Sequence, residues 1–243
     1  MIRKKYFLLF LSLLVMSASY AFKKAKPRLL VFSKTAGFRH DAIPVGKLAM
    51  LQMGAENGFD VDTTEDASVF TAKNLKRYKA IVFLSTTGNI LNDEQQAAME
   101  SYIKKGGGYV GIHAATDTEY DWPWYNQLVG AYFLSHPNQQ TATLQVVDRT
   151  HPATKHLDAT WIRKDEWYNF KSIVPGLHVL IKIDEKSYTG GKNGDDHPMS
   201  WYREFDGGRM FYTELGHTKE SYKEEAFLKH VLGGIEYVIG KKK

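Results

Sequence analysis

The chain has 243 residues, the length of one large domain or of two small ones. Its 43% of hydrophobic and 24% of charged residues are typical of a globular protein and exclude a disordered or collagen-like chain. No cysteine is present, which excludes disulfides, a thiolate nucleophile, thiolate zinc sites and iron–sulfur clusters. The reactive groups that are left are imidazole, carboxyl and hydroxyl side chains, with or without a metal ion.

Residues 1–21 are predicted to form a secretory signal peptide. Basic residues at 3–5 precede an apolar run over 6–16, and small residues follow at Ser19 and Ala21, which is the pattern of a cleaved leader. The apolar run is shorter than the ~20 residues that a membrane-spanning helix needs. We therefore expect cleavage after Ala21, export to the periplasm or the medium, and no membrane attachment afterwards.

The basic excess of the chain does not indicate a nucleic-acid partner. Removing residues 1–21 takes away three basic residues and no acidic one, which lowers the formal charge from +5 to +2. The remaining basic excess lies in lysines near the new start and in the terminal run 241–243. The folded body is therefore close to neutral, unlike a domain that binds DNA or RNA.

Strand and helix patterns alternate through the first half of the remaining chain. The predicted elements are strand 28–32, helix 43–58, strand 59–64, strand 79–84, helix 92–105 and strand 109–112. This alternation predicts right-handed crossovers and a doubly wound, mostly parallel sheet. The second half is richer in strands, predicted at 141–147, 178–183, 199–205 and 209–212, before a final helix over 219–239. We predict one α/β domain over residues 28–240 with β-rich additions in its second half.

Histidines are concentrated where the predicted strands end. Six of the nine occur in loop or strand-end contexts: His40, His113, His136, His151, His197 and His217. In a parallel sheet, ligands bind beyond the carboxyl ends of the strands. The sequence therefore predicts a histidine-lined pocket at that edge of the sheet.

Three of these histidines, His40, His113 and His217, each follow an apolar strand segment. Imidazole is a preferred ligand of zinc and similar divalent ions, and three imidazoles with one open position make a catalytic type of site. No closely spaced motif such as HExxH is present, so the ligands would have to converge from distant loops. We name these three residues as candidate ligands of a divalent metal such as zinc.

His113 has the most informative local sequence. Gly111, Ala114 and Ala115 flank it at the end of a predicted strand and before a predicted helix start. Small neighbours suit a tight strand-to-helix turn that projects one side chain into a cleft. An imidazole in that position can act as a base, a metal ligand or a hydrogen-bond donor.

Five motifs taken together resemble the ThuA-like (trehalose utilisation) family. They are GFRH at 37–40, GIHAATD at 111–117, DEWY at 165–168, HPMSW at 197–201 and LGH at 215–217. The resemblance covers the chain from about residue 28 to residue 240. It implies a flavodoxin-like fold, similar to the class I glutamine amidotransferase domain, with a polar pocket at His113. Amidotransferases carry their nucleophilic cysteine at that position, so the absence of cysteine excludes their reaction here.

The resemblance also implies which residues line the site and what they act on. Matching the motifs places six residues in the site: His40, His113, His136, Glu166, His197 and His217. Arg39 and Asp117 are expected to lie close by. Family members are associated with the metabolism of disaccharides and of oxidised sugars such as 3-keto-glycosides. We therefore expect an exported enzyme that acts on a disaccharide or a keto-sugar glycoside by elimination, hydration, hydrolysis or isomerisation.

The candidate catalytic residues are His113, Glu166, His217, His40 and His197. Beside a ketone a ring C–H becomes acidic, so a histidine can remove that proton while a carboxylic acid assists the leaving oxygen. Desolvation by Trp167 would raise the pKa of Glu166 and suit it to the role of acid, although Glu166 can equally be a strand-edge acid among core aromatics. Hydrolysis between two opposed carboxylates is less favoured, because no second one stands out beyond Asp117.

The candidate substrate-binding residues are Arg39, Asp117, His136, Trp167, Tyr168 and Trp201. The alternative to an enzyme is a sugar-binding module, in which tryptophan rings stack on a pyranose without turnover. Converged histidines and a glutamate would favour catalysis, whereas a stacking platform with few titratable groups would favour binding.

No glycine-rich phosphate loop follows the first strand, so we expect no nucleotide or flavin cofactor.

Overall fold

A computed structural model describes residues 25–240 of the chain. The signal peptide predicted over residues 1–21 lies outside these residues. Within residues 25–240, no helix combines the length and the apolar character that crossing a membrane requires.

Eleven strands and five α-helices make up the described chain. The strands are β1 (Arg28–Phe32), β2 (Asp60–Thr64), β3 (Ala80–Leu84), β4 (Gly108–Ile112), β5 (Tyr132–Ser135), β6 (Gln140–Val146), β7 (Thr160–Asp165), β8 (Asn169–Lys171), β9 (His178–Ile183), β10 (Pro198–Phe205) and β11 (Gly208–Thr213). The helices are α1 (Ile43–Asn57), α2 (Ala72–Leu75), α3 (Asp93–Lys104), α4 (Pro123–Val129) and α5 (Glu225–Val238).

The first half of the sheet is parallel and has the strand order β2-β1-β3-β4-β11. This is the flavodoxin-like order, in which ligands bind where the direction of winding changes, beyond the carboxyl ends of the strands. Every residue of β3 and β4 is buried, as expected for central parallel strands covered on both faces. The α/β fold class predicted from the sequence is confirmed.

Local sequence explains where the main helices begin and end. Pro44 lies in the first turn of α1, where its missing N–H costs nothing, and Gly58 ends the helix in the left-handed conformation. Asn92 and Gln95 form a reciprocal capping box at the start of α3, with acidic residues in the first turn. These signals account for the agreement between the predicted and the observed ends of the first two long helices.

The second half of the sheet is antiparallel and extends it in the order β11-β10-β9-β6-β7. Four strand spacings would separate β7 from β11 by about 19 Å in a flat sheet. However, Oδ2 of Asp165 at the end of β7 accepts a hydrogen bond from the N–H of Gly216, just after β11, at 3.0 Å. The antiparallel half therefore curls back toward the parallel half, and its pairing register shifts within β10 at Ser200.

The structure adds elements that the sequence did not predict and shortens one that it did. Strands β5, β7 and β8 and helices α2 and α4 were missed, because they are short or expose polar residues on alternate positions. The final helix begins at Glu225 rather than at residue 219. A 3₁₀ turn at Ser221–Lys223 precedes it, and Ser221 donates its N–H to Thr218 Oγ1 there.

Candidate active site

His113 lies directly after β4 and occupies the centre of the site. Its φ of +52° is left-handed and turns the chain into a 3₁₀ turn, His113–Thr116. Gly111 lets this turn pack closely, since a Cβ there would come within 2.9 Å of Cδ2 of Tyr212. The imidazole is wholly buried. The tight turn expected after the fourth predicted strand is therefore present.

The proton of neutral His113 is fixed by one backbone contact. Nδ1 of His113 lies 2.8 Å from the carbonyl oxygen of Glu214. A carbonyl oxygen can only accept, so Nδ1 must carry the proton and donate it. The opposite ring nitrogen, Nε2, is then left with a lone pair that points into the site.

Three other side chains converge on Nε2 of His113. This nitrogen lies 3.2 Å from Nε2 of His40, 3.1 Å from Nδ1 of His217 and 3.5 Å from Oε2 of Glu166. Nδ1 of His217 is in turn 3.1 Å from the same oxygen of Glu166. All four ligand atoms lie within 4.8 Å of one another. We call His40, His113, Glu166 and His217 the His₃Glu cluster.

The members of the His₃Glu cluster come from four separate strand ends. His40 follows β1, His113 follows β4 and His217 follows β11, all at the carboxyl edge of the parallel half. Glu166 follows β7, which reaches the same place only because the antiparallel half curls back. The predicted convergence of the three histidines is thus observed, and the carboxylate joins them from the far end of the sheet.

The cluster fits a divalent metal ion. Ligand atoms about 2.0–2.1 Å from a tetrahedral zinc ion lie about 3.3 Å from one another. Four of the six separations in the cluster are 3.1, 3.1, 3.2 and 3.5 Å, and the other two do not exceed 4.8 Å. Three imidazoles and one carboxylate are a donor set that zinc and related ions accept.

The electrostatics of His40 suit a ligand rather than an acid. Burial, together with the neighbouring His113 and His217, lowers the pKa of His40 from its usual value to about 2. The ring is therefore neutral and keeps a lone pair. Its Nδ1 is buried without a hydrogen-bond partner in residues 25–240, so no acceptor ties the proton to one nitrogen.

Glu166 joins the cluster to His136 at the rim. Its Oε2 faces the cluster, and its Oε1 lies 3.1 Å from Nδ1 of His136. Burial raises the pKa of the Glu166 carboxyl, but hydrogen bonding and charge from His113 and His217 outweigh burial and lower that pKa below its usual range. The environment thus reverses the shift expected from desolvation beside Trp167. Glu166 is suited to be an anionic ligand and not a general acid.

Asp165 holds the two halves of the site together. Its Oδ1 accepts the N–H of Glu166 at 3.0 Å, and its Oδ2 accepts the N–H of Gly216 at 3.0 Å. Arg163 approaches the same Oδ2 at 3.2 Å, and all of these groups are buried. The carboxylate therefore fixes the backbone next to two cluster members, since Gly216 precedes His217.

Two buried residues, Tyr168 and Glu214, lie next to His113. The ring of Tyr168 lies 4.6 Å from the His113 ring. The backbone N–H of Tyr168 donates to Oε1 of Glu214 at 3.1 Å. Burial, with Asp165 and Glu166 nearby, raises the pKa of the Glu214 carboxyl well above its usual value. Tyr168, which was predicted to bind substrate, is therefore part of the lining of the site.

The structure places His197 outside the cluster. Its Nε2 lies 2.7 Å from the carbonyl oxygen of Tyr168, and its Nδ1 lies 2.8 Å from Oε1 of Glu185. Burial lowers the pKa of this histidine. The catalytic role predicted for His197 is corrected on these contacts: the ring supports the segment that carries Tyr168 and does not reach Nε2 of His113.

Two candidate binding residues differ in their relation to the cluster. Arg39 is exposed and forms a two-point ion pair with Glu65 at 2.7 and 2.9 Å, so its guanidinium is already paired with a carboxylate. Asp117 is half-buried, accepts the hydroxyl of Tyr120 at 2.6 Å, and has its pKa raised by burial. Asp117 lies within electrostatic range of His113 and His136, whereas Arg39 is paired with Glu65.

Both candidate tryptophans lie in the core. Trp167 and Trp201 are wholly buried, and their indole N–H groups donate to the carbonyl oxygens of Gln140 and Val129. A ring with no exposed face has nothing to offer a sugar for stacking. Their predicted role in substrate binding is therefore corrected: both rings stabilise the antiparallel half of the sheet.

Sequence reasoning missed three residues that shape the site. Asp165 and Glu214 belong to motifs or lie beside them, but nothing in a sequence distinguishes a buried acid that binds backbone from an exposed one. Phe38 belongs to the GFRH motif but was not named as a site residue, yet it is 67% exposed and its ring lies 4.8 Å from the ring of His40. An aromatic residue two positions before a candidate ligand was the available signal.

Comparisons with known proteins identify the family of the chain and similar folds. A family model described as ThuA, trehalose utilisation, matches residues 28–238. A putative ThuA-like protein from Bacteroides uniformis ATCC 8492 superposes with a TM-score of 0.77 at 24% identity, covering 93% of this chain and 96% of that one. A second, from Parabacteroides merdae ATCC 43184, gives 0.75 at 21% identity, covering 90% and 93%.

More distant structures share the fold alone. A cytoplasmic protein from Salmonella typhimurium gives a TM-score of 0.62 at 12% identity, covering 86% of this chain and 98% of that one. A search of curated protein sequences finds no match.

Replacing Asp165 by Asn should destabilise the protein. An amide nitrogen in the place of Oδ2 cannot accept the N–H of Gly216 or balance Arg163, so a buried donor and a buried charge lose their partner. We expect the free energy of unfolding in urea to fall by about 1–3 kcal/mol. The matched control is Asp196→Asn, since Asp196 pairs with Lys182 at the surface and should leave the unfolding midpoint unchanged. Equal midpoints for Asp165→Asn and wild type would contradict the role assigned to Asp165.

Proposed function

The chain belongs to the ThuA (trehalose utilisation) family, and from that membership we propose that it is an exported enzyme that cleaves keto-sugar glycosides by elimination at a divalent metal. Family membership implies a role in trehalose utilisation and hence in carbohydrate metabolism. The observation that carries the more specific proposal is the convergence of three histidines and one glutamate at the carboxyl edge of the sheet.

The residues that would hold the metal are those of the His₃Glu cluster. A divalent ion bound there would take the ketone oxygen of the substrate as an additional, fifth ligand. It would then act as a Lewis acid that polarises this oxygen and stabilises the negative charge that develops on it. The chain supplies three imidazole rings for this purpose, and His113 presents Nε2 because its Nδ1 donates to the carbonyl oxygen of Glu214. Glu166 supplies the single negative charge of the donor set.

His136 is the group best placed to remove a proton. Its Nδ1 lies 2.9 Å from the carbonyl oxygen of Pro137 and 3.1 Å from Oε1 of Glu166. Both neighbours are acceptors, so Nδ1 carries the proton, and Nε2 is left with a free lone pair. The side chain is 43% exposed at the rim, where substrate can reach it. A carboxylate behind an imidazole stabilises the positive charge that forms when the ring takes up a proton.

Asp117 is the candidate proton donor. Burial raises the pKa of its carboxyl, which keeps a larger fraction protonated than at an exposed aspartate. The hydroxyl of Tyr120 donates to Oδ1 and orients the carboxyl group. Asp117 therefore takes the role of acid that the sequence suggested for Glu166.

The proposed reaction balances with these two groups. Nε2 of His136 takes the proton from the carbon next to the ketone, and the electron pair of that C–H bond forms a carbon–carbon double bond. The bond from the neighbouring carbon to the glycosidic oxygen breaks, and that oxygen takes a proton from Asp117. The products are an unsaturated keto-sugar and a free alcohol, and no oxidant or reductant is consumed.

The residue types in the site also favour an enzyme over a sugar-binding module. A sugar-binding module needs aromatic faces and few titratable groups, whereas Trp167 and Trp201 have no exposed face here. The site instead gathers groups that bind metals or transfer protons. Export is part of the same proposal and rests on the leader-like pattern of residues 1–21.

Metal loading tests the cluster directly. Wild-type protein stripped with a chelator and dialysed against zinc should hold one ion per chain by elemental analysis, and its melting temperature should rise on loading. His113→Asn, which tolerates the left-handed backbone, and His40→Ala should lose both the ion and the rise. The control is His178→Ala, which removes a histidine on β9 outside the cluster and should load like wild type. A full complement of zinc in His113→Asn with folding verified by circular dichroism would contradict the ligand assignment.

Turnover of paired substrates tests the proton-transfer roles. We expect 3-keto-glycosides to be cleaved and their unoxidised parents to be inert, because only the ketone makes the neighbouring C–H acidic. Asp117→Asn should lower kcat about 100- to 10,000-fold for an alkyl glycoside, and much less for a nitrophenyl glycoside, whose leaving oxygen needs no proton. Equal losses on both leaving groups would exclude Asp117 as the acid, and equal cleavage of parents would exclude elimination.

A further inference from the structure

Phe38 stands out as an aromatic side chain in an unusual place. Among the phenylalanine, tyrosine and tryptophan residues of 25–240 it is the only exposed one, with 67% of the residue accessible. Its ring lies 4.8 Å from the ring of His40 in a T-shaped arrangement. Single exposed apolar residues are common on protein surfaces, and Phe38 differs from them in its surroundings.

The backbone on either side of Phe38 is fixed. Thr87 Oγ1 accepts the N–H of Gly37 at 3.2 Å and donates to the carbonyl oxygen of Phe38 at 2.9 Å. The carbonyl oxygen of Thr87 accepts the N–H of Ala36 at 2.7 Å. The loop after β1 is thus tied to the loop after β3, and the ring is exposed because the anchored backbone holds it there.

The neighbourhood of Phe38 combines an apolar face with polar groups. One position beyond His40, Asp41 forms an ion pair with Lys219 at 2.7 Å, which links the loops that carry His40 and His217. Both charged side chains are exposed. Pyranose rings have the matching chemistry, since their C–H faces pack on aromatic rings while their hydroxyl groups bind charged side chains.

We propose that Phe38 is the stacking surface for the pyranose ring and so determines substrate specificity at the His₃Glu cluster. This inference rests on the proposed function and names its substrate class: glycosides with a pyranose face that is free of bulky substituents. Rings with equatorial substituents fit best, because their axial C–H bonds lie against the phenyl ring. The role that the sequence suggested for Trp167 and Trp201 belongs to this single residue.

The test compares Phe38→Ala and Phe38→Tyr with wild type on a 3-keto-glucoside. The matched control is Leu48→Ala, because Leu48 on α1 is 66% exposed and lies outside the site. We expect Phe38→Ala to raise KM about tenfold with kcat nearly unchanged, since stacking binds the ring without entering the chemistry. Phe38→Tyr should stay close to wild type, and so should Leu48→Ala.

Two further measurements separate the outcomes. Zinc content and melting temperature should be the same in all four proteins, and calorimetric binding of an unreactive glucoside should weaken only in Phe38→Ala. If wild type converts and binds glucosides but Phe38→Ala matches it, the stacking role is wrong and the proposed function stands. If metal-loaded wild type neither binds nor converts them, the proposed function fails, and the inference fails with it.

Discussion

The hydrogen bond from Nδ1 of His113 to the carbonyl oxygen of Glu214 is the interaction on which the site depends. It places the ring proton on the side away from the pocket and leaves Nε2 free to bind. The bond also joins the ends of β4 and β11, the two parallel strands whose loops carry His113 and His217. Sheet pairing therefore sets both the distance between these histidines and the nitrogen that one of them presents.

A second constraint brings the carboxylate to the histidines. Glu166 follows the edge strand of the antiparallel half, and a flat sheet would leave it far from β11. Asp165 keeps Glu166 near the end of β11, because its two oxygens accept the N–H groups of Glu166 and Gly216. The buried Arg163 balances the charge of Asp165. One buried carboxylate thus positions another that is available for a ligand, a division of roles common around metal sites.

The parallel half of the fold could be predicted from the sequence because its signals are local. Apolar runs, a capping box and a terminating glycine mark β1 to β4 and their helices, and a parallel sheet places His40, His113 and His217 on one edge. Glu166 could be placed only by resemblance, because the curl of the antiparallel half depends on contacts between residues about fifty positions apart. The same limit explains the error on Trp167 and Trp201, since a sequence shows an aromatic residue but not which of its faces is covered.

The central claim is that four side chains from four strand ends form one metal site. X-ray absorption at the zinc edge of the loaded protein tests this claim most directly, because it reports the number and type of atoms bound to the ion. The account predicts three imidazole nitrogens and one carboxylate oxygen at about 2.0–2.1 Å, and loss of this signal in His40→Ala, which should no longer hold the ion. A spectrum dominated by water oxygens, or one unchanged in that variant, would contradict it.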